Sequence, residues 1–373
     1  CLQYTEIVSQ KRGKSKIFFR YFIQIRLFFM CFGKDRFSFV HRFFHTEQAA
    51  RRHFLFLRCT FLLFLLRSSC KNARNVYNEG DVSCTDTSAI RNPDTRYISK
   101  RKESFIMKLR PPAIPLVTID PYFSVWSPTE KLYDSETMHW TGKPNALRGT
   151  VTVDGEVFRF MGLGEEPTLT QTDFTYNALS TYYTFRGEKV ELKLCFTTPL
   201  LPDDLSLLSR PVSYLRLSAS SLDGKKHDVS VTITASEQLC LDHAGQSDVV
   251  CADVDLPDMA CICMGNADQK VLNRSGDDVR IDWGYFYLAA CGEGAETLSF
   301  HDDMSRIGVT VSLSHEEALI LFAYDDIKSL NYFGKPISSV WNHEGKTIEE
   351  ALSEALYGYE ETYLSCEQFS EGL

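Results

Sequence analysis

The sequence predicts an all-β protein: a large antiparallel β-sandwich, with a short proline-rich module before it and one helix after it. Three features carry that prediction. From about residue 149 the chain alternates apolar and polar residues in runs of strand length. Turn chemistry punctuates those runs, above all Asp154-Gly155 and Asp223-Gly224. No helical pattern separates them, which leaves no room for the crossover helices of a parallel sheet.

The first 106 residues stand apart. Of the 40 Lys and Arg they hold 20, against 8 of the 49 Asp and Glu, a balance of +12. Residues 107–373 hold the other 20 and 41, a balance of −21, and the two add to the −9 of the whole chain. The early segment mixes Arg and Lys with Phe in no sustained period and carries a single proline, Pro93. Its apolar run FLFLRCTFLLFLL (54–66) is interrupted by Arg58 and falls short of the roughly 20 apolar residues that span a bilayer. With Arg51 and Arg52 before it and RSSC (67–70) after it, the run has the flanks of an export signal but lies deep in the chain. The reading that fits both facts is that residues 1–106 are disordered upstream translation and Met107 is the native start. That start implies a cytoplasmic protein. The alternative, an exported one, rests on the 54–70 segment.

Cysteine usage agrees with a reducing compartment. Seven cysteines follow Met107 at irregular spacing, most of them in apolar strand-like runs, as buried free thiols are. Cys261 and Cys263 share one strand face but have no further ligand at metal-site spacing, so packing is their expected role.

Residues 107–165 form the proline-rich module. PPAIPLVTIDPYFSVWS (111–127) has prolines that fix φ and restrict the residue before them. It reads as a rigid extended segment, not a linker. The strand series begins with the hairpin GTVTVDGEVFRFMG (149–162), and the sandwich domain is read as 166–345. STYYTFRGEKVELKLCFTTP repeats the plan at Gly187, and SYLRLSASSLDGKKHDVSVTITAS repeats it at Asp223-Gly224. WGYFYLAA, ETLSF, IGVTVSL and EALILFAYD continue the series.

The last segment, 346–373, changes period. Ile348, Ala351, Leu352, Ala355, Leu356, Tyr359, Tyr363 and Cys366 recur at helical spacing over 348–369, with Thr347 and Glu350 placed for a capping box. Such a face has little to pack on at the end of a β domain. It is therefore expected to be left open and to fray until a further domain covers it.

Motifs for catalysis and cofactors are missing, so no cofactor is expected. Gly345-Lys346-Thr347 resembles the end of a phosphate loop, but Val340 stands where that loop needs glycine. There is neither a G-x-S-x-G elbow nor an H-E-x-x-H pair. The six histidines after Met107 show no ligand spacing, and the acidic balance argues against nucleic acid. The doublets Asp203-Asp204, Asp277-Asp278, Asp302-Asp303 and Asp325-Asp326 sit at strand ends, where aspartate serves turns. Three segments hold the remaining candidates: Asp120 and Trp126 in the module, His139 and Trp140 in MHWTGKPNALRG (138–149), and Arg280, Asp282 and Trp283 before WGYFYLAA. These residues either pack in the core or an interdomain contact, or they line a shared cleft at one edge of the sandwich. None is assigned to catalysis, and none to a metal.

In order, RPPAIPLVTIDPYFSVWS, MHWTGKP, LRGTVTVDGEVFRFMG, LSRPVSYL and SGDDVRIDWGYFYLA resemble the N-terminal half of the glutaminase A family from Met107 onward. The resemblance implies a β-sandwich followed by an α-helical toroid that holds the catalytic site, with DDIKSLNYFGKP leading into it. It also implies that the helical domain, absent from these residues, is the sandwich's partner. The complete parent would act on a small molecule, releasing ammonia from the side-chain amide of glutamine. The competing reading is a carbohydrate-binding sandwich, which would display its tryptophans as a flat exposed platform.

Overall fold

The structure, a computed structural model, describes residues 111–313 and 317–373. The expectations for residues 1–106 lie outside them. Residues 111–127 fold into an antiparallel hairpin of β1 (Ile114–Asp120) and β2 (Phe123–Ser127), with register shifts after Pro115 and Val117. The hairpin forms a two-stranded sheet of its own, where a missing proline N–H costs no ladder bond in a larger sheet. It buries Ile114, Leu116, Val117, Ile119, Phe123 and Val125 in the main core. Phe123 lies 4.7 Å from the Tyr324 ring and 5.7 Å from the Phe286 ring, measured between centroids. The hairpin is an ordered part of the fold.

Next come β3 (Leu147–Val153) and β4 (Glu156–Met161), β5 (Thr170–Tyr176), β6 (Ser180–Arg186) and β7 (Val190–Thr197). A short helix α1 (Leu205–Ser209) precedes β8 (Val212–Ser221), β9 (Val229–Ser236), β10 (Val249–Leu256) and β11 (Met259–Asn266). Then follow β12 (Tyr285–Cys291), β13 (Glu296–His301), β14 (Ser305–Ser312) and β15 (Glu317–Asp325). The small hairpin β16 (Leu330–Tyr332) and β17 (Lys335–Ile337) precedes two helices, α2 (Ile348–Tyr357) and α3 (Tyr359–Glu371).

Two antiparallel sheets make the sandwich. The larger has the order β10-β11-β12-β15-β8-β7-β6-β5 and the smaller β13-β14-β9-β3-β4. Between them pack rows such as Leu194, Leu217, Ile320 and Leu288 from the first and Val151, Val231 and Val309 from the second. The predicted hairpin at 149–162 forms, and both Asp154 (φ 51°) and Gly155 (φ 86°) take the left-handed region that a two-residue hairpin turn needs. β3 and β4, which the sequence division places in the module, pair into the same sheet as β9 and β14.

Three expectations need correction. The Asp223-Gly224 turn does not close a hairpin: β8 lies in the larger sheet and β9 in the smaller, so residues 222–228 cross the sandwich. That connection is too long for a two-residue turn, and Gly224 (φ 76°) serves a bend inside it. Nor is the C-terminal stripe left open. Ile348, Ala351, Leu352, Ala355 and Tyr359 pack with Val212, Tyr214, Cys261, Ala289, Leu321, Ala323 and Trp341 on the outer face of the larger sheet. The physical reason is that β12 and β15 are apolar on both faces, as strands covered on both sides are. The capping box forms as read from the sequence, with Thr347 N–H donating to Glu350 Oε2 (2.9 Å) and Glu350 N–H to Thr347 Oγ1 (3.3 Å). The single helix expected over 348–369 is instead broken at Gly358.

All seven cysteines of the described part are free, and four are buried. Burial raises the pKa of each, Cys240 beyond the usual range and Cys261 and Cys366 to about 12, so these thiols are inert packing groups.

Candidate functional site

Loops 139–145, 237–248 and 267–284 meet at one end of the sandwich, beside the turn of the β1–β2 hairpin. Ile281 N–H donates to Tyr122 O (2.9 Å), and the Trp140 indole N–H donates to Pro121 O (2.6 Å). These two bonds anchor a buried polar cluster against the hairpin.

Arg280, 7% exposed, is its centre. Its Nε donates to Asp242 O (2.8 Å) and Nη2 to Asp242 Oδ1 (2.6 Å), while Nη1 reaches Thr141 Oγ1 (3.1 Å) and Asp278 Oδ1 (2.7 Å). The fixed fork of a guanidinium suits such a convergence. Thr141 Oγ1 also lies 3.0 Å from His139 Nδ1. Arg274 bridges Asp242 Oδ2 and Asp282 Oδ2, the second at 3.5 Å. Asp282 Oδ2 further accepts from Gln246 Nε2 (2.7 Å), and the Asp282 carbonyl accepts from Asn266 Nδ2 (2.8 Å). Asp282 Oδ1 is buried without a hydrogen bond.

His139 is 2% exposed. Burial first, and the positive Arg280 second, push its pKa down to about 4, and the facing Pro121 and Tyr122 carbonyls offset only part of that. The ring is neutral at physiological pH. Its Nε2 has no well-formed hydrogen bond.

Of the seven candidates, His139, Trp140, Arg280 and Asp282 come together. Trp283 adjoins them in sequence but is a core residue, 2% exposed, with its N–H on the carbonyls of Asp326 (3.0 Å) and Lys328 (3.3 Å). Its ring meets Tyr122 edge-on at 6.2 Å. Asp120 turns back on the Tyr122 N–H (3.0 Å), and Trp126 donates to Ser124 Oγ (3.1 Å), so neither side chain joins the cluster. Of these three tryptophans Trp283 is buried and Trp126 and Trp140 are half-buried, and all three indole N–H groups are held internally.

Asp242, Arg274, Gln246 and Thr141 complete the cluster without having been singled out in the sequence. One signal pointed to them: an arginine directly before a buried strand, as in DDVRIDW, requires an acidic partner from elsewhere. The cleft beside Asp120, lined also by Asp326, Tyr324 and Trp341, encloses about 10 Å³, room for no more than a water. Among the described residues no three His, Cys, Asp or Glu side chains are grouped as a metal site requires. Arg274 and Arg280 hold Asp242, and Arg274 also reaches Asp282 Oδ2, so the cluster orders these loops, while Asp282 Oδ1 and His139 Nε2 each keep an unused acceptor.

Two family models match the chain, both described as domains of unknown function: DUF4964 over residues 87–170 and DUF5127 over 179–307. The first begins ahead of Met107 and so takes in part of the segment set apart by composition. A stretch of 131 residues is 37% identical to Glutaminase A of Aspergillus oryzae, covering 33% of this chain. The chain spans about a fifth of the length of that relative, 19%. The glutaminase A-like character read from the sequence motifs holds over this part.

Proposed function

We propose that these residues are the N-terminal, non-catalytic sandwich of a glutaminase A-like amidohydrolase, whose complete form hydrolyses L-glutamine to L-glutamate and ammonia. The observation that carries this reading is the 37% identity over 131 residues with Glutaminase A. The cluster around Arg280 supports the non-catalytic part, since its carboxylates are bound to arginines and its histidine is buried and neutral. In the proposal the sandwich supports a separate helical catalytic domain, and the loops at the Arg280 end are those best placed to rim its cleft. The seven free thiols among the described residues fit a reducing, cytoplasmic setting. Among the described residues no helix is long and apolar enough to cross a membrane.

Binding measurements test the reading. Titrating L-glutamine into the chain should leave the amide resonances of 139–145, 237–248 and 267–284 unmoved. Saturable shifts centred on Arg280 and Asp282 would overturn it by placing a substrate site in the sandwich.

A further inference from the structure

At the other end of β3 and β9, His227 stands between two carboxylates. Its Nδ1 lies 2.8 Å from Asp154 Oδ2 and its Nε2 2.9 Å from Asp223 Oδ1, and its side chain is only 8% exposed. A neutral imidazole has a single N–H, so bonding both carboxylates requires the doubly protonated ring. The groups come from three turns. Asp154 sits in the β3–β4 turn of the smaller sheet, and Asp223 and His227 both lie in the 222–228 crossing. Lys189, from the β6–β7 turn of the larger sheet, places Nζ 2.9 Å from Asp154 Oδ2. Asp154 also makes one backbone and one side-chain bond with Asp228, its N–H donating to Asp228 O (2.8 Å) and its Oδ1 accepting the Asp228 N–H (3.1 Å). Further charges nearby are Lys225, whose N–H donates to Asp223 Oδ1 (2.9 Å) and whose Nζ is 3.7 Å from Asp223 Oδ2, Glu156, which acts on Lys189, and Lys226 and Asp228, which flank His227 in the chain.

We propose that Asp154, His227 and Asp223 form a proton-operated clasp: the doubly protonated His227 holds the 222–228 crossing to the β3–β4 turn and, through Lys189, fastens the two sheets at this end. Loss of one proton leaves a carboxylate facing a bare ring nitrogen, and the crossing is released. The direction of each titration agrees. Asp223 and then Asp154 raise the His227 pKa, while Lys189 and then His227 lower that of Asp154. The Lys225 N–H and then His227 lower that of Asp223. Because the folded His227 value lies above that of a free ring, about 6.5, the clasp is complete below that pH. It is lost as pH rises through the folded midpoint. The carboxylates keep it intact until pH falls well below their ordinary range.

Two measurements on the full chain decide the matter. Side-chain ¹H–¹⁵N spectra of His227 should show both ring N–H groups at pH 6.5 and a midpoint above that of free imidazole, lowered by Asp154→Asn and by Asp223→Asn. Hydrogen exchange at Lys225 and Asp228, corrected for intrinsic chemistry, should report opening that rises by up to about tenfold per pH unit from 6.5 to that midpoint and then levels. His227→Gln should make the opening independent of pH. A midpoint at or below about 6.5, or opening in the unmodified chain that does not respond to pH, would overturn the proposal. The wild-type titration decides it even where a variant fails to fold.

Discussion

His139 and His227 titrate in opposite directions, because burial governs one and carboxylates govern the other. For His139 the folded pKa lies near 4, below the unfolded value of about 6.5, so the unfolded chain takes up its proton first as pH falls. Stability is therefore lost between about pH 6.5 and 4, on the order of 3 kcal/mol over that window. His139→Asn should flatten this acid limb in denaturant titrations, and an unchanged slope would show that the ring is not buried neutral. Arg280 gives a second residue-level expectation. Arg280→Ala removes the partner of Asp242 Oδ1 but leaves Arg274 on Oδ2, and should cost about 1–3 kcal/mol, whereas Arg280→Lys keeps charge but loses the fork. Chemical denaturation at neutral pH measures both. The sequence showed Arg280 and Asp282 but not Asp242, because Asp242 and Gln246 sit in an irregular loop, and only the fold brings that loop to DDVRIDW.

Strand positions were legible from alternation, and the β3–β4 hairpin from Asp154-Gly155. The fate of 222–228 was not, since an Asp-Gly pair marks a bend without saying whether its flanking strands share a sheet. The docking of the helices is hidden in the sequence for a related reason. EALILFAYD and WGYFYLAA carry a second apolar face, and that face is what the helical stripe covers. Helices α2 and α3 are accordingly part of the fold. Tyr214 OH donates to Ala355 O (3.2 Å), and Glu367 accepts from Tyr182 OH (2.6 Å) and Asn177 Nδ2 (2.8 Å), which ties α3 to the β5–β6 end of the larger sheet. Leu352 is fully buried, so Leu352→Ala should destabilise by about 2–5 kcal/mol. Hydrogen exchange should find the amides of α2 strongly protected in a monomeric sample. Rapid exchange there would mean that the stripe is not docked.

For the molecule as a whole, the charge break at Met107, the sandwich and the glutaminase A-like motifs were all readable before any coordinates. What the sequence could not show is which carboxylate meets which arginine, the pairing that joins Arg280, Asp242, Arg274 and Asp282 in one cluster. Under the proposed function, such a sandwich supports chemistry carried in a separate domain. Ammonia release from L-glutamine by the purified chain is the most direct measurement of that claim. The account predicts none above the buffer control across pH 5 to 9. Release that is abolished by Asp282→Asn, in a variant that still unfolds cooperatively, would contradict it and move the active site into the sandwich.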